Sequence, residues 1–384
     1  MGRFGLRCPV FLTDWTPVRP RFESAQPCGF SWLARAHAAA AHALDPAVGE
    51  TEHQIRMHRM LERFGCSDGQ IAKRGHELED FLLGDWDRMT VFRLNESPGG
   101  ADLATRMQFF SERCDDVLVR LYPGDHPFHR IPDLMIHVTC TGYVSPNPTQ
   151  RLISLRGWQR QTQSTQAYHM GCYAAVPAIR TAAAHVLSGM AKRVDIVHNE
   201  MCTLHFDPTA HGPEQLVVQS LFADGHIGYS VTAEGGSLRV LSLGEEVIPD
   251  SSGQMTWTLG AEGFRMTLGR MVPATIAGSV RDFVAQLFED AGLSLEKDLP
   301  RCRAALHPGG PRIIDGLAEV LSLDELACAD SREVLRTMGN MSSATLPHIL
   351  HRIAQDPAVG SGTPVLGLAF GPGLTMAGSL AVKV

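Results

Sequence analysis

Three side chains stand at turns of the chain with complementary chemistry: a thiol, an imidazole and a primary amide. The thiol is Cys172, in the stretch Tyr168-His169-Met170-Gly171-Cys172-Tyr173-Ala174-Ala175. It runs into an apolar segment, Val176 to Met190, whose one fixed charge is Arg180. That pattern predicts a buried helix with Cys172 at or just before its first turn, and Pro177 is tolerated only near a helix start. A thiol there meets the positive end of the helix dipole and free backbone N–H groups, which favour the thiolate and a nucleophilic role. A small buried core thiol is the alternative.

The imidazole, His307, lies between the apolar run Ala304-Ala305-Leu306 and Pro308-Gly309-Gly310-Pro311. The glycines allow close approach and the prolines stiffen the loop. An imidazole held there can pair with a thiolate and lower the thiol pKa. The amide, Asn340, follows Gly339 and precedes a predicted helix. It reads either as a helix N-cap or as a buried donor for an anionic carbonyl oxygen.

Elements that alternate must position these groups. Helices are expected over Phe30–Leu44, His53–Phe64, Ala104–Leu121, Gln215–Phe222, Val280–Ala291 and Ile313–Leu321, with another from Asn340 to about Ile353. Strands are expected over Leu134–Thr141, Arg193–Val197, Ile227–Ala233, Leu238–Leu243, Val365–Phe370 and Thr375–Val382. Residues 1–30 are broken by Pro9, Pro17, Pro20 and Pro27 and read as irregular, and 231–260 reads as turn-rich. The class is therefore α/β. A strand, a sharp turn, a reactive residue and an apolar helix occur around Cys172 and more loosely around His307. This suggests two similar halves, residues 1–235 and 236–384.

Composition narrows the function. A chain of 384 residues exceeds one small core, and 44% hydrophobic with 20% charged residues describes an ordinary globular protein. A net charge of -7 leaves no broad basic field for nucleic acid. Nine scattered cysteines without a C-x-x-C pair point to reduced thiols and a cytoplasmic location. The first ten residues lack a signal-peptide core, and Leu6 breaks the myristoylation pattern after Gly2. The uncharged run Pro357–Val382 is too rich in glycine for a membrane span. No metal is expected, since His126-x-x-His129 and His348-x-x-His351 have no acidic or Cys partners at ligand spacing. Asp224 and Glu200 read as buried carboxylates bonded to backbone rather than catalytic groups.

Taken in order, several motifs resemble one family. They are Val138-Thr139-Cys140-Thr141-Gly142-Tyr143, His169-Met-Gly-Cys172-Tyr-Ala-Ala, Leu221-Phe222-Ala223-Asp224-Gly225, His307-Pro-Gly-Gly-Pro311, Gly339-Asn340-Met-Ser-Ser-Ala344 and Phe370-Gly-Pro-Gly-Leu-Thr375. Over roughly residues 50–384 the chain resembles the chalcone synthase-like type III polyketide synthases of the thiolase superfamily. The resemblance implies a five-layered subunit of two αβαβα halves, and a homodimer. It implies that an acyl-CoA starter loads on Cys172 and that malonyl-CoA, decarboxylated, extends it to a pyrone, resorcinol or related aromatic polyketide, with no cofactor. His307 and Asn340 would hold the carbonyl oxygen, and His307 would keep Cys172 ionised. Phe222 and Phe370 match the family's gatekeeper phenylalanines.

Cavity positions carried over are Thr141, Cys202, His205, Met266 and Ser342, with Ser145 where a residue often reaches into the partner subunit. Arg59, Arg63 and Lys73 align loosely with basic residues that bind coenzyme A. Tyr173 departs from the usual Phe, and Cys202 and His205 replace small or hydroxyl residues, so the cavity is reshaped. Two other readings stand beside this one. The first is a single-condensation ketosynthase or acyltransferase of the same fold, acting on acyl-CoA or acyl carrier protein. The second is a non-catalytic partner subunit.

Overall fold

The computed structural model describes residues 5–124 and 131–384; His126 and His129 lie outside the described residues. The strands are β1 (Gly5–Val18), β2 (Phe22–Ala25), β3 (Lys73–His76), β4 (Leu134–Thr139), β5 (Gln163–Tyr168), β6 (Arg193–Met201), β7 (Asp224–Thr232), β8 (Leu238–Val247), β9 (Met255–Leu259), β10 (Phe264–Leu268), β11 (Arg303–Leu306), β12 (Pro364–Gly371) and β13 (Thr375–Lys383). The helices are α1 (Gln26–Leu44), α2 (Glu50–Phe64), α3 (Leu103–Leu121), α4 (Pro148–Leu155), α5 (Ala175–Leu187), α6 (Pro213–Leu221), α7 (Val272–Asp290), α8 (Leu295–Asp298), α9 (Pro311–Leu321), α10 (Glu325–Met338) and α11 (Thr345–Gln355).

Nine strands form one sheet in the order β11-β12-β13-β8-β1-β7-β6-β4-β5. Its outer pairs are parallel (β11 with β12, β4 with β5 and β6) and its middle is antiparallel. The sheet runs unbroken across residue 235, because β8 pairs with both β1 and β13. β9 and β10 make a separate hairpin, and β2 pairs with β3.

Two helices are sunk into the central apolar cluster. α5 contributes Val176, Ala178, Ile179, Ala182 and Ala183, and its small residues let backbones approach closely. α11 contributes Leu346, Ile349, Leu350 and Ile353, the i, i+3, i+4, i+7 stripe of a core-facing helix. Both candidate loops, Cys172 and Asn340, lead into these helices.

β1 corrects the irregular reading of the N-terminus. Proline lacks the ladder N–H and is normally excluded from inner strands, yet β1 sits between β7 and β8. It does so by breaking register. The pairing with β8 shifts between Gly5 and Val10, which frees Pro9. The pairing with β7 shifts between Thr13 and Thr16, around Asp14 at φ 51°. The β9–β10 hairpin and α10 were also hidden from the periodicity.

Candidate active site

The parallel strands β4, β5 and β6 deliver their C-terminal ends to one edge, where ligands bind in open α/β sheets. β4 leads out into Cys140 and Thr141. β5 leads out into His169, after which Gly171 turns the chain at φ 92° into Cys172, three residues before α5. β6 carries Glu200 next to its last residue, Met201, and continues into the single 3-10 turn Cys202–His205. From the other half come His307 at the end of β11 and Gly339-Asn340 after α10. The β12–β13 turn at Gly371-Pro372 packs on the nucleophile's loop: a Cβ at Gly171 would lie 2.4 Å from Pro372 Cδ, and one at Gly371 would lie 2.5 Å from Tyr173.

A cavity of about 330 Å³ opens at this edge. Cys172, Thr141, Cys202 and Ser342 line it on the loop side. His205, Met266 and Phe222 line it elsewhere, together with Arg74, Trp257 and Phe264. Cys172 Sγ lies 3.7 Å from Ser342 Oγ. Ser145 is exposed and Phe370 is buried in the C-terminal apolar cluster; neither lines this subunit's cavity. His307 and Asn340 are each 1% exposed and do not line the open volume.

Their bonding is nonetheless unusual. The Asn340 carboxamide oxygen accepts from the Ser342 N–H at 2.9 Å, which orients the amide, and its Nδ2 has no partner. Asn340 is not a helix N-cap, since the 3-10 turn at Ser342 is capped by Met341 and α11 by Ala344; its Oδ1 closes a local turn and its Nδ2 is left without a partner. His307 is held by its backbone N–H, which donates to Leu368 O at 2.8 Å, while both ring nitrogens are unpartnered. A buried polar atom without a partner costs on the order of 1–3 kcal/mol. His307 and Asn340 both bear this cost at loop ends, which leaves their nitrogens available to a ligand.

The thiol departs from its expected ionisation. Burial pushes Cys172 up to about 12, and the buried Glu200 carboxylate adds to the rise. Burial alone takes His307 down to about 3. The helix dipole is outweighed because α5 begins three residues later and the thiol is shielded from water.

The rest of the wall is rigid. Glu200 accepts from Cys140 N at 3.0 Å, Thr141 Oγ1 at 2.9 Å and Ser343 N at 3.3 Å, and also from Ser343 Oγ. It ties the Cys140 loop to the Asn340 loop across the two halves. His205 stacks on Phe264 with ring centroids 4.1 Å apart. Its Nε2 donates to Thr141 O at 2.8 Å and its Nδ1 accepts from Phe264 N at 3.1 Å. Both nitrogens are committed, so His205 shapes the cavity and has no hydrogen bond to spare for a product. Trp257 donates from its indole N–H to Cys140 O at 2.6 Å. Sequence reasoning missed both: Trp257 falls in the stretch 231–260 that reads as turn-rich, and Phe264 lies beyond it in a stretch assigned to no element.

The basic residues divide. Arg59 and Arg63 face an open groove along α2 with Arg56. Lys73 is elsewhere, bonded to Glu23 at 2.5 Å. Strand alternation sends Lys73 outward and its neighbour Arg74 inward to the cavity. Among the described residues, no group of three His, Cys, Asp or Glu side chains is placed to hold a metal. No helix among them is long and apolar enough to cross a membrane.

Two expected results follow from this geometry. Gly171→Ala places a Cβ at positive φ and against Pro372. Its product formation should fall at least ~10²-fold, since a misplacement of about 1 Å costs that much. Steady-state turnover beside a thermal melt checks this, and near-normal turnover would contradict it. Asp224 accepts from Thr203 N and Thr203 Oγ1 at 2.9 Å and from Glu77 N at 2.7 Å, while burial pushes its carboxyl up to about 7. From pH ~4 to 7 the unfolded chain loses this proton and the folded protein keeps it, so the contribution to stability falls as pH rises. Asp224→Asn should gain on the parent protein by up to about 4 kcal/mol over that window. Denaturant midpoints at pH 4 and 8 measure the difference.

The family model for the N-terminal domain of chalcone and stilbene synthases matches residues 124–234, and that for their C-terminal domain matches residues 240–384. A 1,3,6,8-tetrahydroxynaphthalene synthase of Streptomyces griseus is 27% identical over 342 residues, 86% of this chain and 89% of that protein. Probable polyketide synthase 1 of Dictyostelium discoideum is 29% identical over 251 residues, 64% of this chain but 8% of that much longer protein. The crystal structure of the 1,3,6,8-tetrahydroxynaphthalene synthase of Streptomyces coelicolor A3(2) superposes with a TM-score of 0.77 at 25% identity, covering 97% of this chain and 99% of that one. Two family models that together match residues 124–234 and 240–384, with the relatives and the superposition, lead to one conclusion: this chain belongs to the chalcone and stilbene synthase family, the type III polyketide synthases.

Proposed function

We propose that the protein condenses acyl units: it loads an acyl-CoA starter on Cys172 and extends it with malonyl-CoA to a pyrone, resorcinol or related aromatic product. The observation that carries this reading is the set of unpartnered nitrogens on buried His307 and Asn340. In the loading step, Cys172 gives its proton to His307 and attacks the thioester carbonyl. The C–S bond to CoA breaks, and the CoA thiolate leaves with the proton from His307. In the extension step, the bond between the malonyl methylene and its carboxylate breaks and CO2 departs. The electron pair remains as an enolate whose oxygen takes hydrogen bonds from Asn340 Nδ2 and a His307 ring N–H. The enolate carbon attacks the Cys172 thioester, and the C–S bond breaks to return the thiolate. Two donors in a dry site stabilise that oxygen far more than they would in water.

The cavity of about 330 Å³ supports short products, being at the low end for ligand pockets, ~300–1,000 Å³. Its walls of His205, Trp257 and Phe264 are fixed by hydrogen bonds and stacking. Phe222 at the wall supports a gate between an entry channel and this volume. The exposed arginines Arg59 and Arg63 support a site for the CoA phosphates, and the exposed Ser145 supports a homodimeric contact. Nine free cysteines support a reducing, cytoplasmic setting.

The experiment is incubation with short and long acyl-CoA starters plus labelled malonyl-CoA, read by mass spectrometry of products and intact protein. Products with two or more extensions support the proposal. Products of one condensation, from CoA or from a carrier protein, replace it with the ketosynthase reading. No acyl-enzyme and no product would leave a partner subunit.

A further inference from the structure

We infer that Arg74 is a positioning residue that sets the gate residue Phe222 and the amide of Asn340 in one rigid unit. The inference rests on the reading of Asn340 as the enolate's donor. Arg74 is 7% exposed, lines the cavity and has no carboxylate within salt-bridge distance among the described residues. Its hydrogen bonds go elsewhere. Nη1 donates to Gln219 O and to Phe222 O, both at 2.8 Å, and Nε donates to Gln26 Oε1 at 2.8 Å. Those carbonyls belong to the last turn of α6, which a cation caps favourably.

Phe222 is in turn joined to Asn340. Their backbones form an isolated parallel bridge, with Asn340 N donating to Leu221 O at 3.0 Å and Ala223 N donating to Asn340 O at 2.8 Å. The same Arg74 side chain closes the unit from below. A Cβ on Gly339, at φ 74°, would lie 3.1 Å from Arg74 Cγ, 3.1 Å from Ala223 Cβ and 3.1 Å from Leu221 O. Glycine suits the position before Asn340, because its φ is positive and any Cβ would crowd the Arg74 stem together with Ala223 and Leu221. The guanidinium fixes the Phe222 carbonyl, and the stem fixes the peptide that carries Asn340. Gln26 anchors the assembly to α1, since its Nε2 donates to Cys66 O at 2.7 Å and Ser220 O at 2.8 Å.

Cys172 stands outside this unit, at the start of α5 on the Gly171 turn. Loosening Arg74 should therefore disturb decarboxylation, which uses Asn340, more than the intrinsic reactivity of the thiol. The test uses the full-length protein with Arg74→Lys and Arg74→Met, each with a thermal melt. Malonyl-CoA decarboxylation is read by CO2 release, and Cys172 reactivity by iodoacetamide labelling across pH 6–10. Arg74→Met should lower kcat for decarboxylation about 10- to 100-fold, the range for a displaced catalytic donor. The labelling rate and its pH profile should change less than about twofold. Arg74→Lys, with one point-like head for two carbonyls, should recover part of the lost kcat. If Arg74→Met does not fold, Arg74→Lys against the parent carries the test, with an expected drop of severalfold in kcat alone.

Equal losses of decarboxylation and labelling, or no loss of decarboxylation, overturn the inference. Asn340→Ala separates this failure from failure of the functional reading. If Asn340→Ala still decarboxylates at the parent rate, the role of Asn340 falls and the inference with it. If Asn340→Ala is inactive while both Arg74 variants are unimpaired, the inference alone falls.

Discussion

Cys172→Ala should abolish the acyl-enzyme. Intact mass spectrometry after incubation with an acyl-CoA should show the starter's mass on the parent protein and no adduct on the variant, with product formation down by roughly 10³-fold or more. The thiol is the one nucleophile at the turn into α5, and Ala fits there, because the neighbours Ala174 and Ala175 are already packed with no exposure. Cys140 and Cys202 also line the cavity, so the experiment has a real alternative outcome. Cys140 Sγ accepts the Gly171 N–H at 3.0 Å, and burial holds both thiols well above their ordinary pKa. An adduct that persists in Cys172→Ala and maps to either of them would move the nucleophile. Malonyl-CoA decarboxylation should fall far less than loading in this variant, since that step needs the donors and not the thiol.

Asn340→Ala should show the reverse pattern. Decarboxylation, followed by CO2 release, should drop by about 10²–10³-fold, the cost of removing one oxyanion donor. The acyl adduct on Cys172 should still form. The two variants thus fail at different steps, and a mixture of each with the other half-reaction's readout distinguishes them. Part of the effect of Asn340→Ala is structural, because Oδ1 accepts the Ser342 N–H. Asn340→Asp keeps that acceptor and replaces the free N–H donor with an oxygen. If decarboxylation depends on the Nδ2 donor, Asn340→Asp should be as slow as Asn340→Ala; if only the local turn matters, it should be near normal.

How much of this was legible beforehand depends on what kind of signal each element carries. The apolar helix after Cys172 and the β-branched run of β4 declare themselves by composition and period, and both lie where expected. α11 was foreseen as a helix, though it starts at Thr345 after a short 3-10 turn rather than at Asn340. β1 was not foreseen, because prolines argue against an inner strand and only long-range pairing with β7 and β8, through two register shifts, accommodates them. The β9–β10 hairpin was hidden for a related reason. Its strands are five residues each and half-exposed, so they have no strong period of their own.

The sequence by itself singled out the candidate groups for chemistry. Local rules suffice for a residue at a turn between a strand and an apolar helix, and the ordered motifs name Cys172, His307 and Asn340 though they lie 135 and 168 residues apart. Only the tertiary structure decided their state and surroundings. Ionisation depends on burial by distant segments, and so the thiol predicted to be acidic is instead pushed up to about 12. Which basic residue faces the cavity depends on strand alternation, which turned Lys73 out and Arg74 in. Which ring closes the cavity depends on a hairpin folding back 117 residues to meet Cys140. Contacts across such separations have no local signature, because loop closure lets chain partners be far apart in sequence for little extra entropy.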